Sequence, residues 1–274
     1  MSDAPTRLRL GGMALANGLL VHGPTSWAAA VVDEHGDVVV GSGPKPRIAI
    51  GPLARVPLVR GVVRLAEGMM VVPAMRGAMP EARMALEDRP VGLVVGVTML
   101  GAAIARRRIR NPLAQEAAAA SLGLLPVLVM LRFSPASRWH AVEHKSIAAY
   151  ERSGEAGLAT NAGDPKEHRR CGSNLVLPLM VTGAVGNLVA RAVPGWKRRL
   201  AVRAVATVVG LGATVEAFSY ADRHPRTAFA RVLHGAGHAV QAWFVTVEPD
   251  EDELAVGRTA VEAVLIAEQE AQAS

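Results

Sequence analysis

Residues 175–190 read LVLPLMVTGAVGNLVA, an apolar run without a charged side chain. Three further segments share this character: residues 91–105, 117–131 and 204–215. Each is shorter than the ~20 residues that usually span a bilayer, but the flanking residues extend all of them towards that length. The four segments therefore predict helices that are buried either in a membrane or in a helical core.

Basic turns divide these segments into two pairs. The first pair turns at residues 106–110, RRRIR, and the second at residues 196–199, WKRR. Paired apolar helices with basic turns favour membrane insertion over a soluble helical core, because Arg and Lys are stable at lipid head groups. We predict two membrane-embedded apolar hairpins, over residues 91–133 and 174–220.

The composition agrees with either environment, but it limits the kinds of partner that the protein is expected to bind. Half of the residues are hydrophobic, the mean hydropathy is +0.24 and aromatic residues make up only 4%. The net charge is +6 and most basic residues are Arg, which pairs well with phosphate groups. Few aromatics and no recognition motif argue against nucleic acid, so anionic membrane lipid is the predicted partner. The single cysteine, Cys171, excludes an intramolecular disulfide.

The first part of the chain has strand character, and no apolar signal peptide precedes it. We predict a β-rich segment over residues 1–56. Residues 28–32 and 37–40 flank a Gly-containing turn at 34–36, which is typical of a hairpin. A further short strand is predicted at residues 47–50. The fold class is therefore mainly α with a small N-terminal β-rich portion.

Three other segments complete the predicted organisation. Residues 57–90 have helical spacing and a basic face, so this amphipathic helix lies either on a membrane surface or against a globular core. Residues 134–173 form a polar segment that holds the metal motif. Residues 221–274 end in a soluble helix from Glu251, whose start is marked by the capping pattern of Asp250 and Glu253.

The polar segment contains His140-Ala141-Val142-Glu143-His144. On a helix, His140 and His144 lie one turn apart on one face, so both imidazoles can bind one metal ion. Glu143 can then act as a general base on a metal-bound water. The H-x-x-E-H order occurs in inverted zinc peptidases. An amphipathic helix with two solvated histidines is the alternative.

Three more residues are candidate metal ligands. His168 and Cys171 lie three positions apart shortly after the motif. Glu216 lies in the fourth apolar segment, where an ionisable group usually has a partner. This carboxylate either completes the metal site or belongs to a helix end that reaches the interface. His234 and His238 are interpreted as surface or interface histidines, because two glycines separate them.

The chain resembles the YqhQ-like family of bacterial membrane proteins, whose function is unknown and whose members are described as predicted metal-dependent enzymes. The similarity covers nearly the whole chain. It rests on the glycine motif from Gly11 to Trp27, the helix start at residues 57–63, the signature from Trp139 to Glu151, and the motif from His168 to Asn174. Glu216 and residues 248–250 also align in order.

Four positions depart from the family's pattern. Met13 and Asn17 stand where the family usually has Gln and Glu, Ala141 replaces a Gly, and Arg169 replaces a Pro. The loss of an acidic residue at Asn17 argues against a role of the N-terminal segment in the site. All candidate ligands remain.

Two functions account for these ligands. In the first, a metal-dependent hydrolase, His140 and His144 bind a divalent metal, most simply zinc. The third ligand is Glu216, His168 or Cys171. A lipid or membrane-protein substrate would suit a site at the bilayer edge. In a scaffold or assembly factor, His140, His144, His168 and Cys171 form a closed structural zinc site. Transport is less favoured, because the chain has no internal repeat.

The predicted location is the inner (cytoplasmic) membrane, with multi-pass or re-entrant hairpins. The positive-inside rule places both basic turns in the cytoplasm and the metal segment outside. The N-terminal segment, however, has no export signal and carries Arg residues of its own. Re-entrant hairpins remove this conflict, and we predict a metal site that faces the cytoplasm. The sequence leaves the oligomeric state open.

Overall fold

The N-terminal segment forms an antiparallel sheet in the computed structural model, which describes residues 7–87 and 89–273. Four strands pair in the order β1-β2-β3-β4 within these residues: β1 (Gly11–Ala14), β2 (Gly18–His22), β3 (Ser26–Val32) and β4 (Val38–Pro44). The rest of the described chain is mainly helical. The prediction of a mainly α protein with a small N-terminal β portion is confirmed.

The details of the sheet differ from the prediction in two ways. The hairpin around residues 34–36 is present, with Gly36 at φ +89° and β3 paired to β4. The strand predicted at residues 47–50 is wrong, because this stretch leaves the sheet and the N–H of Ile48 donates to the Glu67 carboxylate at 2.9 Å. Strands β1 and β2, which were not predicted, contain three of the glycines that obscured their strand character.

Helices cover both faces of this sheet. Helix α1 (Val59–Ala78) packs on one face, and α4 (Ala136–Ser153) and α9 (Glu251–Ala273) pack on the other. The alternation along β2 follows this arrangement, since Leu19 and Val21 face α4 and α9 whereas Leu20 faces α1. Both faces of β3 are therefore buried, which explains its continuous apolar sequence.

Helix α1 buries only some of its large apolar side chains against the core. Val71 and Met75 are fully buried against the sheet, whereas Met69 and Met70 are 55% and 41% exposed. Asn17 fixes the approach of the chain after α1, because its side-chain amide bonds the backbone of Glu81, Arg83 and Val32. Asn17 is thus a structural residue at a position where an acidic residue would lack these donor contacts.

The C-terminal helix α9 begins with the predicted capping box. The Asp250 side chain accepts the N–H of Glu253 at 2.9 Å, and the Glu253 side chain accepts the N–H of Asp250 at 3.0 Å. The helix is not a separate soluble element, because Val256, Val261 and Val264 are buried against the sheet and α4. Its apolar stripe instead completes the main core.

Two helical hairpins extend from this core. The first consists of α2 (Arg89–Arg108) and α3 (Pro112–Phe133), and the second of α6 (Val176–Arg191) and α7 (Trp196–Arg223). Glu116 joins them, accepting from Arg191 at 2.7 Å and from Asn187 at 2.9 Å.

The hairpins expose much apolar surface. Large apolar side chains more than half exposed occur on all four of their helices: Leu93, Val97, Met99, Leu100, Leu113, Phe133, Val181, Val185, Val189, Trp196, Leu200, Val205 and Val208. Two stretches of the described chain, Gly172–Arg191 and Trp196–Arg223, are long and apolar enough to cross a membrane. Short elements complete the chain: α5 (Glu155–Leu158), α8 (Ala228–Val240) and a single π-helical turn, Gln241–Val245.

Candidate metal centre

Helix α4 holds the His-x-x-Glu-His motif and is largely buried. The Ser134 hydroxyl oxygen accepts the N–H of Ala136 at 3.2 Å and so marks the start of the helix, and Gly154 ends it with φ +68°. His140 and His144 lie one turn apart, as their spacing predicts, with ring centroids 4.3 Å apart. The surrounding core fixes the helix and therefore both rings.

Three side chains converge on one point: His140, His144 and Cys171. One ligand atom from each lies within 4.8 Å of the other two, and Nε2 of His140 is 3.3 Å from Sγ of Cys171. Cys171 stands directly before the second hairpin and is buried. Burial raises the pKa of its thiol, and a bound cation would oppose this by stabilising the thiolate.

Backbone carbonyls orient both imidazoles. Nδ1 of His140 is 3.1 Å from the Val245 carbonyl oxygen, and Nδ1 of His144 is 2.5 Å from that of Lys166. A carbonyl only accepts, so each Nδ1 carries the hydrogen and each Nε2 keeps its lone pair. Nε2 of His144 is buried and has no hydrogen-bond partner among the described residues. This is the arrangement of metal-binding histidines, and two imidazoles with a thiolate suit zinc.

Glu143 lies beside this cluster without a salt bridge or hydrogen bond to any part of the chain that the structure describes. Burial raises the pKa of its carboxyl group to about 7, an effect that His140 opposes. A Cβ atom on Gly12 would lie 2.7–2.8 Å from the Glu143 side chain, so the absent side chain of Gly12 gives the carboxylate its space. A carboxyl group with this pKa can both accept and return a proton near neutral pH.

The cluster opens into a cavity of about 530 Å³. His140, Glu143, His144 and Cys171 line one part of it. Leu124 and Leu128 of α3 and Val176 of α6 line another part, and all four residues of β1 also line the cavity. The cavity therefore connects the candidate metal ligands with both apolar hairpins and with one edge of the sheet.

Most of the candidate metal centre lies in a segment that matches a known protein family. Residues 124–267 match DUF1385, a family of proteins of unknown function, over slightly more than half of the chain. The chain belongs to the DUF1385 family. No curated protein and no solved structure matches it significantly. The DUF1385 match includes α4, Cys171 and most of α9, whereas β1 and Gly12 precede it.

His168, within the DUF1385 region, lies near the cluster but is engaged elsewhere. Its ring centroid is 5.8 Å from that of His144. Nε2 of His168 is 3.3 Å from the Glu151 carboxylate, and its Nδ1 accepts the N–H of Arg170 at 3.3 Å. Arg170 also forms an ion pair with Glu151. Burial lowers the pKa of His168. Both ring nitrogens therefore have protein partners in this arrangement.

Glu216 is not brought to the cluster. Its two carboxylate oxygens accept from Nε and NH2 of Arg60 at 2.7 and 2.6 Å, and this ion pair joins α1 to α7. The carboxylate therefore has a partner, as its apolar surroundings predict, but the partner is an arginine. Of the five candidate ligands, the structure brings together His140, His144 and Cys171.

Several residues of the site were not predicted from the sequence. Lys166 and Val245 act through their carbonyl oxygens, which no side-chain pattern reveals. Lys145 follows the motif, and its buried ammonium group donates to the Ala162 carbonyl at 2.9 Å and to Glu248 at 2.6 Å. Lys145 thereby fixes two loops around the centre. A charged residue in the middle of a buried helix was the signal that could have revealed it.

Proposed function

We propose that this protein is a membrane-embedded, divalent-metal-dependent hydrolase. The observation that carries the proposal is the buried Nε2 of His144, which has no hydrogen-bond partner among the described residues. Its side chain lies with His140 and Cys171 in a cluster whose ligand atoms are within 4.8 Å of one another. Leaving a polar atom unpaired in a core is costly, so a ligand for it is expected. Zinc fits these donors best, because it accepts both imidazole and thiolate.

His140, His144 and Cys171 would hold the ion, and Glu143 would handle the proton. When bound, zinc lowers the pKa of coordinated water towards ~7 and so supplies a nucleophile at neutral pH. Glu143 takes the proton from the attacking water and returns it to the leaving group. Burial raises the pKa of its carboxyl group, and a cation bound beside it would oppose this shift. Gly12 leaves the carboxylate free to move between the two proton transfers.

An open site is favoured over a closed structural one by the contacts of His168. A structural site made by His140, His144, His168 and Cys171 requires His168 to exchange Glu151 for the metal. With His168 held by Glu151 and Arg170, three protein ligands would hold the ion, and the cavity that they line leaves room for a further, non-protein ligand. Three ligands with an open position are typical of catalytic zinc.

The membrane part of the proposal is supported by the surface of the hairpins. Large apolar side chains are exposed along all four of their helices, whereas soluble monomers rarely expose large contiguous apolar patches. Basic residues stand at both hairpin turns, where lipid head groups would lie. The resemblance to the YqhQ-like bacterial membrane proteins agrees with this location. The inner membrane, a cytoplasmic-facing site and a lipid or membrane-protein substrate remain our proposals.

The test is the metal content and activity of the detergent-purified protein. We expect about one zinc ion per chain, as three convergent ligands imply, and hydrolysis of p-nitrophenyl acetate. His144→Ala should lose the ion, whereas His238→Ala, an exposed histidine on α8, is the matched control and should keep it. Glu143→Gln should keep the ion and lose at least about 100-fold in rate.

Two results would contradict the proposal. If the wild type binds no divalent metal after reconstitution, the centre has been misidentified. If the wild type binds the ion but hydrolyses none of the probes, and His168→Ala loses both the ion and the fold, the site is the structural zinc clamp of a scaffold or assembly factor.

A further inference from the structure

Strand β1 is an edge strand, and its free edge borders the candidate active site. The sheet order places β1 outside β2, with no strand beyond it among the described residues. All of its residues, Gly11–Ala14, line the cavity that contains His140, Glu143 and His144. An unpaired strand edge offers a row of backbone donors and acceptors to another extended chain.

The pairing with β2 shows which backbone groups point outward. The N–H of Leu15 donates to Gly18 at the end of the β1–β2 hairpin, so this pair is hydrogen-bonded. In an antiparallel ladder, hydrogen-bonded and non-bonded pairs alternate. With the register Gly12↔Val21 and Ala14↔Leu19, Gly12 and Ala14 direct their N–H and C=O groups away from β2. No hydrogen bond to these groups is found in the described parts of the chain.

Gly12 brings this edge against the proposed general base. A Cβ atom on Gly12 would lie only 2.7–2.8 Å from the Glu143 side chain, so the glycine allows the two to approach closely. Gly11 is similarly bare, and a Cβ there would lie 2.9 Å from the His22 ring. A chain that pairs with the outer groups of Gly12 is therefore held within reach of Glu143. Few side chains of β1 obstruct its approach.

We propose that the substrate is a polypeptide, bound as an added antiparallel strand along β1. The inference rests on the proposed hydrolase and names its substrate class. Pairing with Gly12 and Ala14 fixes the peptide backbone and delivers one amide to the centre. Hydrolysis breaks the C–N bond of that amide: the water oxygen joins the carbonyl carbon, and the proton held by Glu143 passes to the leaving nitrogen. The apolar cavity wall from α3 and α6 accommodates side chains of a membrane-associated segment.

The test uses β-casein, an unfolded protein, as a source of extended peptide. Hydrogen exchange is measured on the full-length Glu143→Gln protein with and without β-casein. The amides of Gly12 and Ala14 should exchange at least about tenfold more slowly when casein is present, because each gains a hydrogen bond. The inward-facing amide of Met13 is the internal control and should change little.

Proline variants give a second readout. Ala14→Pro removes the outward N–H donor of this residue but no hydrogen bond between β1 and β2. The variant should retain its metal, and its rate of casein cleavage should fall at least about tenfold. Val40→Pro is the matched control on the opposite edge strand, β4. The bond from the Asp33 N–H to the Asp37 carbonyl sets the alternation there, so that the Val40 N–H also points outward. It should cleave casein at the wild-type rate.

The outcomes separate the two proposals. Hydrolysis of p-nitrophenyl acetate without casein cleavage, or casein cleavage unaffected by Ala14→Pro, overturns the peptide proposal and leaves the hydrolase standing. Hydrolysis of a phospholipid vesicle without casein binding assigns the cavity to lipid instead. A metal-loaded protein that hydrolyses none of these probes overturns both proposals.

Discussion

The backbone N–H of Ser26 donates to the buried carboxylate of Glu268 at 2.7 Å. The N–H and hydroxyl of Thr25 donate to the same carboxylate, each at 2.7 Å. Gly23 leaves the space for it, since a Cβ there would lie 2.5 Å from Oε1. The Glu268 carboxylate thus accepts the hydrogen bonds that water would otherwise accept from the turn between β2 and β3. The same contacts attach α9 to the sheet.

Glu268→Ala is expected to lower the free energy of unfolding by about 3 kcal/mol, because three donors lose a charged acceptor inside the core. Urea unfolding of the detergent-solubilised protein measures this. Glu262→Ala, an exposed position on the same helix, is the control and should stay within about 0.5 kcal/mol of wild type. Equal stability of the two variants would show that the turn finds other partners.

Gly12→Ala should reduce hydrolysis at least about tenfold while metal content stays constant. The added methyl group would lie 2.7–2.8 Å from the Glu143 side chain, which must move, and its three nearest atoms all belong to Glu143 rather than to a proposed metal ligand. Gly77→Ala is the control, because a Cβ there meets open space. Elemental analysis and a rate assay on each variant suffice. An unchanged rate in Gly12→Ala would remove Glu143 from the reaction.

His22 should make the protein less stable as the pH falls. Burial, with a contribution from Lys45 at 3.0 Å, lowers its pKa from 6.5 to about 4. Between these values the unfolded chain binds a proton that the folded chain does not, so the stability present above pH ~6.5 is lost towards pH 4. Unfolding measured at pH 7 and pH 5 should show a smaller decrease for His22→Gln. The same decrease in both proteins would contradict this assignment.

The Arg60–Glu216 pair should matter little for stability and not at all for the metal. The two side chains are 35% and 21% exposed, and ion pairs of this kind contribute about 0–1 kcal/mol. Glu216→Ala should therefore keep its metal and unfold within about 1 kcal/mol of wild type. Metal loss in this variant would restore Glu216 as a ligand and require α7 to move.

The local features of this protein were predictable from sequence, because local chemistry decides them. The spacing of His140 and His144 fixes their separation on a helix, and Asp250 with Glu253 marks a helix start. The apolar segments likewise predict helices from composition alone. The helix of the motif and its two imidazoles therefore follow directly from the chain.

Tertiary relationships were less accessible. Glu216 lies in an apolar helix, and sequence predicts that it needs a partner but not that Arg60 supplies it. Strands β1 and β2 were not predicted, because their glycines have low strand propensity and resembled a glycine motif instead. The stretch at residues 47–50 has strand-like composition, yet its backbone is bonded by Glu67. In each case a contact distant in sequence decides the outcome.

The position of the centre along the chain has a consequence for how the protein is made. His140 and His144 follow α3 directly, Cys171 immediately precedes the first of the two candidate membrane spans, and the carbonyl that orients His140 belongs to Val245. Synthesis proceeds from the N-terminus, so all three ligands exist before the second hairpin is made, whereas the Val245 carbonyl exists only after both hairpins. Orientation of His140 for the proposed metal is therefore a late event in biogenesis, and a chain that stalls between residues 144 and 171 carries two histidines without the thiol that completes their site.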